Sequence, residues 1–449
     1  MGFLLNLLLS RVLGPGNLGI FSLILTTSQT FEIAARGGVD YGLSCALTGQ
    51  EGQRSTEERQ QLARTALQFV QITTLVMAVL LWIWVMPFQG IFPQAMVYPK
   101  TAICSGLIAI AIFESLGGLP WDIFLILGQT RVVALRQGLF APMKLAAGLT
   151  GALIAGVGGA ITGYGLLSGL QTYWLRKRCQ GFLQFHTSRQ FSWHEAWKLV
   201  RAGLPLYGTN ALAALIFLPL LGEVAKTAGV EDVGYLRIGQ LIVQLFTLLP
   251  GALIPLLFLK LRGNINKASH TRDTEPSLRL IWCLGLTALF VYIVIDHITV
   301  QLVFGQSFLP SLQPTRVLIL AAVLDSANQV LHTPLLSSRR TRLFGIGQNS
   351  GAISAAALGA WLIPQYGLQG YLIAKFSFSV IPVVIYSVDA WQKLETRSLL
   401  PMLLIATAAI TPLCWWTETS VTAQTLLMGF SAVTTFICAW PLRHLLPRS

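Results

Sequence analysis

The stretch GLFAPMKLAAGLTGALIAGVGGAITGYGLLSGLQTYWL, residues 138–175, carries one charged side chain, Lys144, and is followed at once by Arg176-Lys177-Arg178. A helix needs about 20 predominantly apolar residues to cross a hydrocarbon core about 30 Å thick. The stretch therefore holds two such helices, near 138–157 and 159–175, with a short turn between them and the basic triplet at one surface. Outward from this pair, apolar runs recur along the chain. They lie near 2–13, 18–36, 65–87, 101–127, 203–222, 234–259, 279–303, 315–337, 343–363, 369–388, 399–416 and 424–442. The pattern predicts an all-α, polytopic membrane protein of about fourteen transmembrane helices.

Composition agrees. Of 449 residues, 54% are hydrophobic and 11% charged, where soluble domains carry about 25% charged residues. The short gaps between apolar runs leave no room for a soluble domain. The segment from Met1 to Leu13 is apolar but has neither a basic leader nor a small-residue cleavage site, so it reads as a retained membrane segment. The six cysteines (Cys45, Cys104, Cys179, Cys283, Cys414, Cys438) are scattered, without a Cys-x-x-Cys pair or a histidine at ligand spacing. No metal, cofactor or disulfide framework is expected.

The net charge of +13 belongs to topology. With a cytoplasmic N-terminus, about 23 of the 31 basic residues fall in one set of loops, including Arg54, Arg59, Arg64, Arg131, Arg136, Lys198, Arg201, Arg339, Arg340 and Arg342. The opposite loops hold only Lys100 and Lys226. The positive-inside rule then places both termini in the cytoplasm, and no nucleic-acid partner is needed to account for the charge. The segment 176–201 interleaves Phe182, Phe185, Phe191, Trp193 and Trp197 with basic residues, as an interfacial helix does. Ser192 and Glu195 match a capping box at its start.

The chain also repeats itself. Gly14-Pro15-Gly16-Asn17-Leu18-Gly19-Ile20 aligns with Gly229-Val230-Glu231-Asp232-Val233-Gly234-Tyr235, and at the same offset Gln29 meets Gln244 and Phe31 meets Phe246. Gly163-Tyr164 and Gly370-Tyr371 form a second matching pair. Six spans separate each pair, an even number, so the copies are parallel and related by an axis along the membrane normal. The expected organisation is a six-helix lobe over 1–175, an amphipathic cytoplasmic linker over 176–202, a second six-helix lobe over 203–388, and two additional helices over 389–449.

Several short motifs recur together: Arg11-Val12-Leu13-Gly14-Pro15 with Gly19 and Phe21, then Asp40-Tyr41-Gly42-Leu43. Downstream are Gly203-Leu204-Pro205, Val233-Gly234-Tyr235, Leu249-Pro250-Gly251-Ala252-Leu253, Phe304-Gly305 and Tyr366-Gly367-Leu368-Gln369-Gly370. Taken together, they resemble the polysaccharide biosynthesis or oligosaccharide flippase family (Wzx-type), within the MATE-like multidrug/oligosaccharidyl-lipid/polysaccharide (MOP) superfamily. The family usually has some twenty residues more ahead of the Arg11 motif, so the first span is expected to be short here. The resemblance implies a flippase of the inner (plasma) membrane that moves a polyprenyl-pyrophosphate-linked oligosaccharide outward by alternating access, for surface polysaccharide export. A polysaccharide polymerase or export protein is an implied partner.

An ionised side chain at mid-bilayer costs about 2.5–3.5 kcal/mol on insertion scales, so such groups mark cavities or pairs. Glu32, Arg36 and Asp40 recur every fourth residue and share a helix face, with Gly37-Gly38 offering a break. Glu114 and Asp122 lie in span four, Lys144 in span five, Arg237 and Gln240 in span eight, and Lys375 in span twelve. Asp325, Asn328, Gln329 and His332 give span ten a polar face. A pyrophosphate crossing the bilayer calls for cationic partners, and a guanidinium meets phosphate oxygens with two hydrogen bonds. Arg36, Arg237, Lys144, Lys375 and Arg11 are thus the expected substrate-binding set. Asp40, Glu32 and Asp325 are the candidates for coupling a proton or sodium ion. Tyr41, Tyr164, Tyr235 and Trp121 either stack on sugars or anchor at the membrane interface. A drug-exporting MATE antiporter needs acidic groups instead, and an integral-membrane polymerase needs catalytic residues on a long external loop. The external segment 88–100 offers only Lys100, and no P-loop or nucleophile motif is present, so an enzyme is not expected. A non-catalytic partner in polysaccharide assembly is a further reading.

Overall fold

Two glycines explain how runs read as separate spans follow one another with almost no loop. In the computed structural model, Gly156 (φ 59°, ψ −142°) and Ala155 interrupt the helix Ala141–Phe182. A Cβ on Gly151 would strike the carbonyl of Gly159, one on Gly159 that of Gly151, and one on Gly163 that of Ala147. Residues eight and sixteen apart in one straight helix lie about 12 and 24 Å apart, so these contacts mean that the chain folds back on itself at Gly156. The hairpin read from residues 138–175 is present. Gly14 (φ 71°, ψ 176°), ahead of Pro15, likewise breaks the helix Gly2–Arg36 where the sequence separates spans one and two.

The structure describes residues 2–48, 56–85, 100–126, 128–182, 191–263, 267–337 and 341–391. Spans thirteen and fourteen, the segment 88–99, and Cys414 and Cys438 lie outside the described residues. Among the described residues there are twelve α-helices and no strand: α1 (Gly2–Arg36), α2 (Val39–Thr48), α3 (Thr56–Val85), α4 (Lys100–Ile126), α5 (Thr130–Leu135), α6 (Ala141–Phe182), α7 (Trp193–Thr227), α8 (Val230–Gly263), α9 (Lys267–Val303), α10 (Leu312–Ser337), α11 (Thr341–Tyr366) and α12 (Leu368–Trp391). A π turn over Arg136–Phe140 joins α5 to α6, and a 3₁₀ turn over Gln306–Ser311 precedes α10. The expected break after Arg36 is present, with Gly37 and Gly38 at φ 54° and 81°.

Eight described helical segments are long and apolar enough to cross a membrane. Their outward faces are as apolar as their cores. On α3, Ala63, Ala66 and Val70 are buried while Leu75, Val79 and Ile83 are more than half exposed. A helix that is apolar on every side suits lipid rather than water.

The chain forms two compact units, Met1–Gly234 and Tyr235–Ser449. In the first, Val39, Leu43, Ala66, Leu119, Ile123, Leu175, Ala196 and Leu199 make a core that joins α2, α3, α4, α6 and α7. The repeat divides the chain near residue 203, whereas compactness divides it after Gly234. The reason is local. Gly42 meets the backbone of Leu199 and Gly203 that of Gly38, with no room for a Cβ at either glycine, so α7 packs tightly on α2. The capping box forms in part, since Ser192 Oγ accepts a hydrogen bond from the Glu195 amide at 3.4 Å. The turns that carry Trp193 and Trp197 are continuous with span seven instead of forming a separate surface helix, and both indoles are exposed.

Counted from the turns, the second repeat pair has a different register from that read in the sequence. Gly370 lies three residues after Gly367 (φ 52°) and meets Leu362, as Gly159 lies three after Gly156 and meets Gly151. Gly159, not Gly163, is the counterpart of Gly370. Turn geometry fixes this register, and a glycine-rich sequence leaves it ambiguous.

Candidate functional site

Two helices bring their charged residues face to face at matched spacing. Glu32, Arg36 and Asp40 follow one another at four-residue intervals at the α1–α2 junction, and Glu114, Gly118 and Asp122 do the same along α4. Gly118 leaves the gap that the Arg36 guanidinium occupies, because a Cβ there would overlap Nη2. Arg36 Nη1 donates to Asp122 Oδ2 at 2.7 Å and, at 3.5 Å, to Asp40 Oδ2. Its Nη2 donates to Glu32 Oε1. Arg36 Nε is buried without a partner among the described residues. One guanidinium thus holds three carboxylates, two from its own chain segment and one from α4.

One turn further along α4, Glu114 Oε1 accepts from Lys144 Nζ at 2.6 Å and from Ser168 Oγ at 2.7 Å, both carried by the α6 hairpin. The Lys144 ammonium also lies 5.0 Å from the centroid of the Tyr164 ring, a cation–π contact. Arg136 stands over Trp121 at 4.3 Å. The side chains of Arg36 and Lys144 are 14% and 10% exposed, so these pairs are largely withdrawn from the surroundings and held by geometry.

The second unit contains two further pairs. Lys375 Nζ donates to Asp325 Oδ2 at 3.1 Å and sits 4.6 Å from the Phe378 ring centroid. Arg316 Nε donates to Asp296 Oδ2 at 2.6 Å, with both side chains buried. Neither Asp296 nor Arg316 stood among the expected site residues, and a separation of twenty positions gave no spacing signal to join them. On the polar face of α10, His332 packs against Phe344 and Tyr386, with ring centroids 5.0 and 6.2 Å away. Arg237 Nη1 reaches Gln240 Oε1 at 3.5 Å within α8, and Arg11 is exposed on the part of α1 before the Gly14 break.

The structure therefore joins Glu32, Arg36 and Asp40 as the spacing indicates, and adds Asp122, Glu114, Gly118 and Ser168. It corrects one expectation about the first unit. The sequence weighted the site towards arginine and lysine, yet here four carboxylates (Glu32, Asp40, Asp122, Glu114) surround Arg36 and Lys144, with Arg136 at the edge. The expected headgroup ligands Arg36, Lys144 and Lys375 are each engaged by a carboxylate. The four-residue interval on α4 was the missed signal, since it repeats the interval on α1.

No protein-family model and no curated protein matches the sequence. Among solved structures, the chain is similar to the lipid II flippase MurJ in an inward closed conformation, with a TM-score of 0.70 and 12% identity over 99% of this chain and 97% of that one. It is also similar to a multidrug resistance MATE family transporter of the MOP superfamily. In the inward-facing conformation of such a transporter the TM-score is 0.64, with 15% identity over 90% of this chain and 95% of that one. In an outward-facing conformation it is 0.54, with 13% identity over 89% and 91%. Identities this low establish architecture alone. The chain is a multi-pass membrane protein with the fold shared by the flippase MurJ and the MATE transporters of the MOP superfamily.

Proposed function

We propose that this protein is a transporter that works by alternating access, and that it flips a polyprenyl-pyrophosphate-linked oligosaccharide to the outer leaflet of the inner membrane. The observation that carries this reading is the cluster around Arg36, set on a fold of flippases and transporters. A guanidinium ringed by three carboxylates is a switchable anion site. When the carboxylates are ionised they hold Arg36, and when one takes a proton its hold weakens and the guanidinium fork turns to a phosphate. Substrate and proton then act on the same side chain, which joins the expected binding residue Arg36 to the expected coupling residues Glu32 and Asp40. Within the first unit Lys144 with Glu114 repeats the same logic, with Arg11 as a further contact for an anionic headgroup, and within the second unit Lys375 with Asp325 does so, with Arg237 as its further contact. No catalytic group is required.

The test is Arg36→Ala. A flippase loses glycan export while the protein still inserts at its normal level, whereas a non-catalytic assembly partner keeps export. The carboxylate excess favours one second reading, a MATE-type antiporter for organic cations. Cells lacking the protein would then become sensitive to cationic dyes and keep their surface polysaccharide, an outcome that would overturn the flippase reading.

A further inference from the structure

The segments 14–19 and 229–234, aligned by the sequence repeat, touch each other reciprocally. A Cβ on Gly19 would run into the carbonyl oxygen of Val230, and a Cβ on Gly234 into that of Pro15. Under the repeat offset Val230 is the counterpart of Pro15, and Gly234 of Gly19. The contact thus maps onto itself when the two segments are exchanged, as a contact across a two-fold axis does. Each glycine brings its Cα–H against the facing carbonyl, the approach that small residues permit between membrane helices. Close by, Glu231 Cγ lies 3.6 Å from where a Cβ on Gly16 would sit.

We propose that this reciprocal glycine contact is a symmetric latch, closed in this structure, which must part for the transporter to open its substrate path at the face where the two hairpins lie. The proposal rests on the transport reading above. Three observations support a contact that opens. At Gly19 and Gly234 the closest approach is glycine to a backbone carbonyl, with Val230 Cγ1 the one side-chain atom among their nearest neighbours, so parting separates little side-chain packing and strands no strong hydrogen bond. Each arm starts at a glycine of positive φ, Gly14 at 71° and Gly229 at 107°, which gives it a soft joint at its base. The two-fold relation means that one movement breaks both contacts together, which makes the element two-state. The latch is also wired to the charge cluster. From Gly19 to Arg36 the chain is one uninterrupted helix, about 25 Å at about 1.5 Å per residue, with the latch at one end and the guanidinium at the other.

Leu18, fully buried beside the latch, reports on it. In a cysteine-free protein in nanodiscs, Leu18→Cys should react slowly with a water-soluble maleimide. Gly19→Ala or Gly234→Ala should each speed the reaction about tenfold, and the double substitution should add little, since both break one contact. Unchanged labelling, or two independent multiplicative effects, overturns the latch. A second variant needs no loss of packing: Gly16→Cys with Glu231→Cys, where Glu231 Cγ lies 3.6 Å from a Cβ built on Gly16, within reach of a crosslink when the contact is closed. Oxidation should stop transport and reduction restore it, and full transport by the crosslinked protein overturns the proposal. If labelling responds as expected while no variant or parent moves a glycan lipid, the flippase reading falls and the latch stands.

Discussion

Gly118 of α4 and Arg36 of α1 interlock so closely that a Cβ on the glycine would occupy the position of the guanidinium Nη2. The charge cluster therefore depends on a residue with no functional group. Gly118→Ala should displace Arg36 from Asp122 and cost about 1–3 kcal/mol, the range for overpacking a filled interior. Gly222→Ala is the comparison, because nothing lies within 4 Å of a Cβ there, and it should change stability by less than about 0.5 kcal/mol. Thermal denaturation in nanodiscs measures both. Transport should fall in the first variant and persist in the second.

The Lys144–Glu114 pair calls for a double-mutant cycle. Removing one partner leaves a charge buried and unpaired, so Lys144→Met and Glu114→Gln should each cost about 3–5 kcal/mol. In Glu114→Gln the Ser168 hydroxyl keeps an acceptor, the amide oxygen in place of the carboxylate oxygen it now meets at 2.7 Å, which softens the second case. The double variant should be more stable than either single one. If stability returns in the double variant and transport does not, Lys144 has a role beyond holding the α6 hairpin to α4. Recovery of both would assign the pair to structure alone.

Much of this was legible from residue spacing. Apolar run lengths located the long described helices, because a bilayer imposes one length on all of them. Gly14 and Gly37-Gly38 punctuated the runs where the backbone leaves the helical region, and the gap read between 157 and 159 lies two residues from the turn at Gly156. The partners of the charges were not legible. Spacing within a helix shows which residues share a face, so Glu32, Arg36 and Asp40 could be grouped. That Asp122 and Glu114 lie opposite them depends on how α1, α4 and α6 pack, and nothing in the order of residues ranks Lys144 with Glu114, thirty residues away. A cation read alone looks free to bind phosphate, and only the packed structure shows that a carboxylate already holds it.

The proposed function predicts a proton dependence of transport from the same competition. Protonation weakens the hold of Asp122, Glu32 and Asp40 on Arg36, so acidification on the substrate side should favour uptake of the pyrophosphate headgroup, and alkaline conditions should oppose it. Asp122→Asn removes the partner at 2.7 Å in its charged form. The variant should still bind substrate, and its transport should respond less to an imposed pH gradient, with only Glu32 and Asp40 left to take the proton. Proteoliposomes with and without that gradient give the comparison. An undiminished gradient response in Asp122→Asn sinks the coupling role of the cluster.

Gly156 separates backbone demand from packing in the hairpin from which the fold was read. Its φ of 59° with ψ of −142° belongs to a region that side-chain-bearing residues avoid, and nothing lies within 4 Å of a Cβ built there. Gly156→Ala therefore meets no neighbour, and its whole effect, about 1–3 kcal/mol of destabilisation, comes from the backbone. Gly151 and Gly159 differ, since each faces the other's carbonyl at a distance that excludes a methyl group. Gly151→Ala or Gly159→Ala should force the two arms of α6 apart, shift Lys144 against Glu114 and reduce transport as well as stability. The discriminating measurement is the ratio of the two losses. Gly156→Ala should lower the unfolding temperature with transport per folded molecule intact, while Gly151→Ala lowers both. A neutral Gly156→Ala would mean that the turn does not need a left-handed residue and that the fold-back is set by the glycine-lined contact of its arms instead.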